Sequence, residues 1–202
     1  MSNETNSLPK LIETERLIVR PYCIDDRGWY CTMGQRNRDH LARFETDNPA
    51  RQIQSAAEAQ VVLQGFVTDW ANGQAYFMGA FSKASGEFVA QLYVGPGAGP
   101  DPLKVPEYSV GYFGDVAQGG RGYVTEMVGA GLRFCFEHLH AHRVRLECDD
   151  QNERSAKVAI RCGFRLEGHI RENKRNGDGT LSGTLHFGLL KREWEEVDNA
   201  HR

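Results

Sequence analysis

Between residues 107 and 190 the hydrophobic period switches back and forth, and this switching constrains the fold more than any single motif. EYSVGYF reads as a strand. After the glycine-rich AQGGRGYV, the residues Val128, Leu132, Cys135, Phe136 and Leu139 recur at helical spacing. VRLECD alternates again, with Val144, Leu146 and Cys148 on one face. NERSAKVAIRCGF has the pattern of a capped helix, opened by Asn152 or a neighbour and closed by Gly163. FRLEGHIRENKRNGDGTLSGTLHFGLL then reads as two strands around a polar, glycine-containing loop. An order of strand, helix, strand, helix, strand calls for a mixed α/β layer.

The first half adds antiparallel material. ETERLIVRPY predicts an opening strand through Leu17 and Val19, stopped by Pro21. Asp25 to Trp70 reads as mostly helical, with Val62, Phe66 and Trp70 on one helix face. QAYFMGAF and EFVAQLYVG are strand-like runs joined by the turn residues SKASGE, which predicts a hairpin. PGAGPDP lacks the GxGxxG spacing and a strand-to-helix context, and reads as linker. With no internal repeat and no composition break, 1–202 is expected to form a single domain.

Composition limits the functions available. Hydrophobic residues make up 40% and charged residues 25%, which suits a folded core and argues against disorder. A net charge of −3 gives no general attraction to nucleic acid or to an anionic membrane, so any polyanion must be held locally. The start, MSNETNSLPK, has no basic and apolar leader pattern, and no apolar run reaches a membrane span. A cytoplasmic protein is expected. The five cysteines, Cys23, Cys31, Cys135, Cys148 and Cys162, form no CxxC pair and read as structural thiols, so no metal is expected.

The glycine cluster itself admits two readings. Amides at a helix N-terminus point outward without partners, and the helix dipole favours negative charge there. Glycine lets phosphate oxygens come close, and an arginine adds a charged donor. GGRGYV between a strand and a helix therefore suits a pyrophosphate cradle, although no Gly-Lys-Ser/Thr marks it as a P-loop. The other reading is a glycine-rich connection with no ligand.

The wider pattern bears on that choice. ETERLIVRP near the start, VGYF, GGRGYVTEM, NERSAKVAIRCGF and the closing LLKREW occur in one order over nearly the whole chain. Together they resemble the GNAT acyl-CoA-dependent N-acetyltransferases, in particular the Rim-type branch, which acetylates ribosomal-protein N-termini. That resemblance implies a mixed, mostly antiparallel central sheet, splayed between two central strands and flanked by helices. It also implies acetyl-CoA as co-substrate. The pantetheine arm would run along Tyr112, Phe113 and Gly114. The pyrophosphate would sit on Gly119, Gly120, Arg121, Gly122, Tyr123 and Val124, and Asn152 would bind the pantetheine end or serve as a helix cap.

This chain departs from the pattern at informative places. Gly119 stands where the family's cradle usually begins with Arg or Gln. Ser109 stands where relatives often carry glutamate, with Glu107 two residues earlier on the same strand face. Ile160 occupies the place of a tyrosine acid found in many members. The resemblance then implies Glu107 as base, Ser155 as the acid that protonates the departing thiolate, and strand N–H groups facing the developing oxyanion.

Acetyl transfer to a primary amine follows from that reading. An α-amine, with a pKa of about 7.7–8.0, is partly neutral near pH 7, whereas a lysine near 10.4 is almost wholly charged. A protein N-terminus is therefore the acceptor that asks least of a base. A small amine (an aminoglycoside, polyamine or amino-acid derivative) and a non-catalytic acyl-CoA-binding module are the alternatives. Arg171, Lys174 and Arg175 in RENKRNGDG read as a solvated basic hairpin. Acetyl-CoA and an amine acceptor are the expected partners, a homodimer is left open, and neither membrane nor direct nucleic-acid binding is expected.

Overall fold

A computed structural model describes residues 8–97, 105–176 and 179–200, the side chains of 197–200 excepted. The extreme N-terminus and most of PGAGPDP lie outside the described residues.

The chain opens with β1 (Ile12–Glu13) and β2 (Leu17–Pro21), followed by two helices, α1 (Arg27–Leu41) and α2 (Ala56–Ala71). Ser55 caps α2 by accepting the Glu58 amide. β3 (Tyr76–Ser82) and β4 (Phe88–Pro96) form the expected hairpin, and β5 (Glu107–Gly114) pairs antiparallel with β4. α3 (Tyr123–Arg133) leads into a π-helical turn at Phe134–His138 and then β6 (Arg143–Asp149). α4 (Glu153–Arg161), β7 (Arg165–Arg175), β8 (Leu181–Leu190) and α5 (Lys191–Ala200) complete the described elements.

One eight-stranded sheet runs β1-β2-β3-β4-β5-β6-β8-β7. Every neighbouring pair is antiparallel except β5 and β6. The helix α3 forms the crossover that a parallel pair requires. Their ladder is short, from Glu107 opposite Arg143 to Val110 opposite Leu146. Beyond it the two strands keep only their outer partners: 111–114 stays on β4, and 147–149 stays on β8. The sheet therefore splays open at its centre.

Two apolar layers cover the sheet. On one face Met127, Val128, Leu132 and Phe134 pack over Leu92, Val110, Val144 and Leu146. A Cβ on Gly131 would come within 2.6 Å of Leu92, which shows how closely α3 lies on β4. On the other face Tyr30, Met33, Leu41, Leu63 and Phe66 pack with Tyr22, Phe88 and Phe113. The buried stripe of α2 is Ala59, Leu63 and Phe66, not the predicted Val62–Phe66–Trp70 row. Trp70 turns toward Tyr76 and Phe134 in the first layer. A helix lying across a sheet buries whichever i, i+4, i+7 stripe its partner presents, and spacing alone cannot choose between adjacent stripes.

Candidate active site

The open end of the β5–β6 splay forms a cavity of about 1240 Å³, reached by α1, β5, the β5–α3 loop, β6, α4 and β7. It is built in three parts.

The first part is the loop after β5. Asp115, 1% exposed, accepts the Ala117 amide at 2.8 Å and caps a short 3-10 turn. Its other oxygen meets Arg36 and, at 3.3 Å, the amide nitrogen of Asn37, while the Asn37 carbonyl accepts the Val116 amide at 2.8 Å. α1 thus holds the root of the loop. Gly120 and Gly122 then adopt φ values of +79° and +78°, the left-handed region that favours glycine. Gly122 is the N-cap of α3 and offers no side chain to the first-turn amides. Those amides are the orphan donors of a helix start, and no side chain stands within 4 Å of where a Cβ on Gly119 or Gly120 would be. Space and donors together suit a pyrophosphate.

Behind the cradle Glu126 ties α3 to the start of the chain. It accepts from Thr14 Oγ1 at 2.5 Å, from the Arg16 amide at 2.8 Å and from Arg16 Nε at 2.6 Å. Arg16 also donates to the Arg121 carbonyl at 3.0 Å and lies over the Tyr123 ring. Burial pushes the Glu126 carboxyl up, but the Thr14 and Arg16 hydrogen bonds outweigh it and hold it below its ordinary value.

The second part is the free inner edge of β5 from residue 111 onward, where backbone groups that would bond β6 have no strand beside them. An amide-bearing pantetheine arm suits that edge.

The third part is a group of hydroxyls where the strands separate. Tyr112 OH lies 3.0 Å from Ser155 Oγ, and it donates to the Ser155 carbonyl at 3.2 Å. Burial lifts the Tyr112 phenol well above its usual range, so it stays protonated. The Cys148 thiol, also pushed up by burial, lines the same cavity. Asn152 accepts the Ser155 amide at 3.2 Å and so caps α4.

The structure thus brings residues 112–114, 119–124, Asn152 and Ser155 into one cavity. Glu107 is placed elsewhere. It sits at the closed end of the splay, opposite Arg143 in the ladder, with its carboxylate 2.7 Å from Arg143 Nε and 3.8 Å from Arg145 Nε. It is not part of the cavity wall. Ile160 is 63% exposed and also lies off the wall. Lys174, read as part of a solvated hairpin, does line the cavity. Sequence reasoning also passed over the Tyr112 hydroxyl, Cys148 and the 39–45 segment. Tyr112 and Cys148 alternate like core positions, and nothing in the 39–45 residues marks a site.

Among the described residues no group of three or more His, Cys, Asp or Glu side chains is placed to hold a metal ion. No helix among them is long and apolar enough to cross a membrane.

The family described as "Acetyltransferase (GNAT) domain" matches residues 16–165. The probable N-acetyltransferase YjcK of Bacillus subtilis is 38% identical over 69 residues, which is 34% of this chain and 38% of that protein. The match therefore spans well under half the length of that curated relative. Among solved structures, the ribosomal-protein-S5-alanine acetyltransferase of Vibrio fischeri superposes with a TM-score of 0.77 at 20% identity, over 91% of this chain and 98% of that one. RimL, a ribosomal L7/L12 α-N-protein acetyltransferase in complex with coenzyme A as a cysteine disulfide, superposes with a TM-score of 0.77 at 18% identity, over 89% and 97%. At these identities the superpositions speak for the fold.

Proposed function

Because the chain belongs to the GNAT acetyltransferase family, we propose that it transfers an acetyl group from acetyl-CoA to a primary amine, with a protein N-terminal α-amine as acceptor. The observation that carries this reading is the splay cavity, which joins an uncapped helix N-terminus at one end to the Tyr112–Ser155 hydroxyl pair at the other. The amides of 119–124 would bind the pyrophosphate, with the Arg121 guanidinium, held by Gln118 at 2.9 Å, at the rim. The inner edge of β5 would align the pantetheine arm, and Asn152, already capping α4, would fix the position of Ser155.

Bound acetyl-CoA supplies an activated acetyl group, and the chain's own residues then position and move protons. The Ser155 hydroxyl, in contact with a phenol that burial keeps protonated, would give its proton to the departing sulfur. Acceptor choice is supported by the structural neighbours, two of which are named as ribosomal-protein acetyltransferases. It is also supported by the α-amine's lower pKa.

Release of free CoA, followed with a panel of N-terminal peptides, lysine side-chain peptides, polyamines and aminoglycosides, tests the proposal. Acetylation of α-amines above the other classes is expected, with the product located by mass spectrometry. Transfer to a small amine alone would favour the small-molecule reading. Binding without transfer to any amine would favour a non-catalytic acyl-CoA module.

A further inference from the structure

The arrangement so far leaves the acceptor's proton without a receiver. Glu107 is engaged by two arginines away from the cavity. The carboxylates that do line the cavity are mostly committed. Asp115 is tied to Arg36, Asn37 and the Ala117 amide. Glu147 pairs with Arg145 and His186, and Asp149 accepts from the Gln151 amide and Ser182. Glu153 pairs with Lys157 at the surface. Asp39 is exposed on the last turn of α1.

Glu45 differs from all of these. The segment 41–45 leaves α1, on the sheet face of the second apolar layer, and lines the cavity from that side. Its backbone is fixed: the Glu45 amide donates to the Leu41 carbonyl at 2.9 Å, and the Asn48 amide donates to the Glu45 carbonyl at 3.1 Å. Arg43, which also lies over the Phe44 ring, donates to the Gln151 side chain at 3.2 Å, so the segment touches the β6–α4 loop across the gap. The Glu45 side chain is half-buried, and among the described residues it has no ion pair within 4 Å. The groups that bear on it are the Asn48 side chain in its own segment, Lys174 from β7 and Tyr112 from β5. Asp39, His40 and Arg43 line the cavity beside it.

We propose that Glu45 is the acceptor-side base: its carboxylate receives the acceptor's ammonium group in the cavity and takes one proton from it. This rests on the acetyltransfer reading above. The amine, made neutral, forms the new C–N bond while the C–S bond breaks and its electron pair leaves on sulfur. Of the two protons the ammonium nitrogen must lose, one goes to Glu45 and then to solvent. The other returns to the Ser155 oxygen, replacing the proton that Ser155 delivers to sulfur. Burial supports the role, because it pushes the Glu45 carboxyl above its ordinary value, with Asn48 and Lys174 opposing only in part. A carboxylate shifted in that direction is a better match for an amine proton.

Two measurements on the full chain test this. The first is the pH dependence of acetyl transfer by wild type and Glu45→Gln, with peptides starting in Ser, Ala or Met and with a polyamine, beside calorimetry with CoA. A loss of roughly 100-fold or more in kcat/KM near pH 7 is expected. It should shrink as pH rises through the acceptor's own pKa, about 8 for an α-amine, and CoA affinity should be unchanged. An equal loss at every pH, or no loss, overturns the proposal. The second is carboxyl ¹³C NMR titration, the Glu45 signal being the one absent from Glu45→Gln. A value above the ordinary glutamate range is expected, and an ordinary or lower value overturns the assignment. If wild type acetylates the polyamine but no peptide, the N-terminal reading fails while Glu45 is still judged by its pH profile. If it acetylates nothing, the acetyltransfer reading fails and so does a base for it.

Discussion

Ser155, the proposed acid, is held from more than one side. Its amide is fixed by Asn152, its oxygen faces the Tyr112 phenol, and Cys148 lines the same cavity. A group that acts only as the thiolate leaves should affect the chemical step more than ground-state binding. Ser155→Ala is therefore expected to lower kcat by roughly 10²-fold, at the lower end for a general acid, while KM for acetyl-CoA changes little. Steady-state kinetics with saturating acceptor check this, and wild-type turnover would reduce Ser155 to a helix-start residue. Tyr112→Phe should give a smaller loss, since the serine hydroxyl remains. Ser155 and Asn152 stood out in the sequence because a helix cap and a family pattern coincide there. The Tyr112 hydroxyl did not, because alternation reports which face a side chain takes and not what its terminal atom touches.

At the scale of elements, the cradle depends on residues outside it. Glu126 joins α3 to Thr14 and Arg16, and Arg16 reaches the Arg121 carbonyl. Charge-assisted bonds of this kind contribute about 1.5–3 kcal/mol. Glu126→Gln is expected to lower Tm by roughly 3–12 °C and to weaken CoA binding without touching CoA, as differential scanning calorimetry and titration would show. The pH dependence has a definite sign. Glu126 is held below its unfolded value, so its contribution is present above that value and is lost as pH falls through the folded one. Wild type should thus lose stability in acid below the usual glutamate range, and the variant should show a shallower acid limb. Asp26 adds to the same limb. Burial raises its carboxyl, but the Arg20 fork at 2.8 Å, the Cys23 amide and Trp29 hold it below its usual range.

Much of this level was legible. The β3–β4 hairpin, the alternation of β6 and the cap of α4 all follow local rules that act over a few residues. What escaped depends on a distant partner. The buried stripe of α2 is selected by the sheet beneath it, and the π-helical turn after α3 inserts a residue that helical spacing does not announce. The 39–45 segment reaches the cavity from the end of α1, which Arg36 and Asn37 tie to Asp115.

For the whole molecule, the decisive feature is one short parallel pair in an otherwise antiparallel sheet. Strand and helix periods in 107–149 fix the crossover, but where the pair comes apart after Val110 and Leu146 is not written in any local pattern. Resemblance to a family implied a splay between two central strands, not the residue at which it begins. The splay makes both a free strand edge and a helix N-terminus available to one extended ligand, and that is the claim on which the proposed chemistry stands. Calorimetric titration of wild type and Gly122→Val with CoA and with 3′-dephospho-CoA tests it most directly. Both ligands keep the pyrophosphate, so both should bind wild type. Valine at a φ of +78° costs on the order of 1–3 kcal/mol in backbone strain and disturbs the cradle amides, so both should lose affinity together in the variant while its circular dichroism stays folded. Unchanged affinity in a folded Gly122→Val protein would contradict the assignment of this cavity to acetyl-CoA.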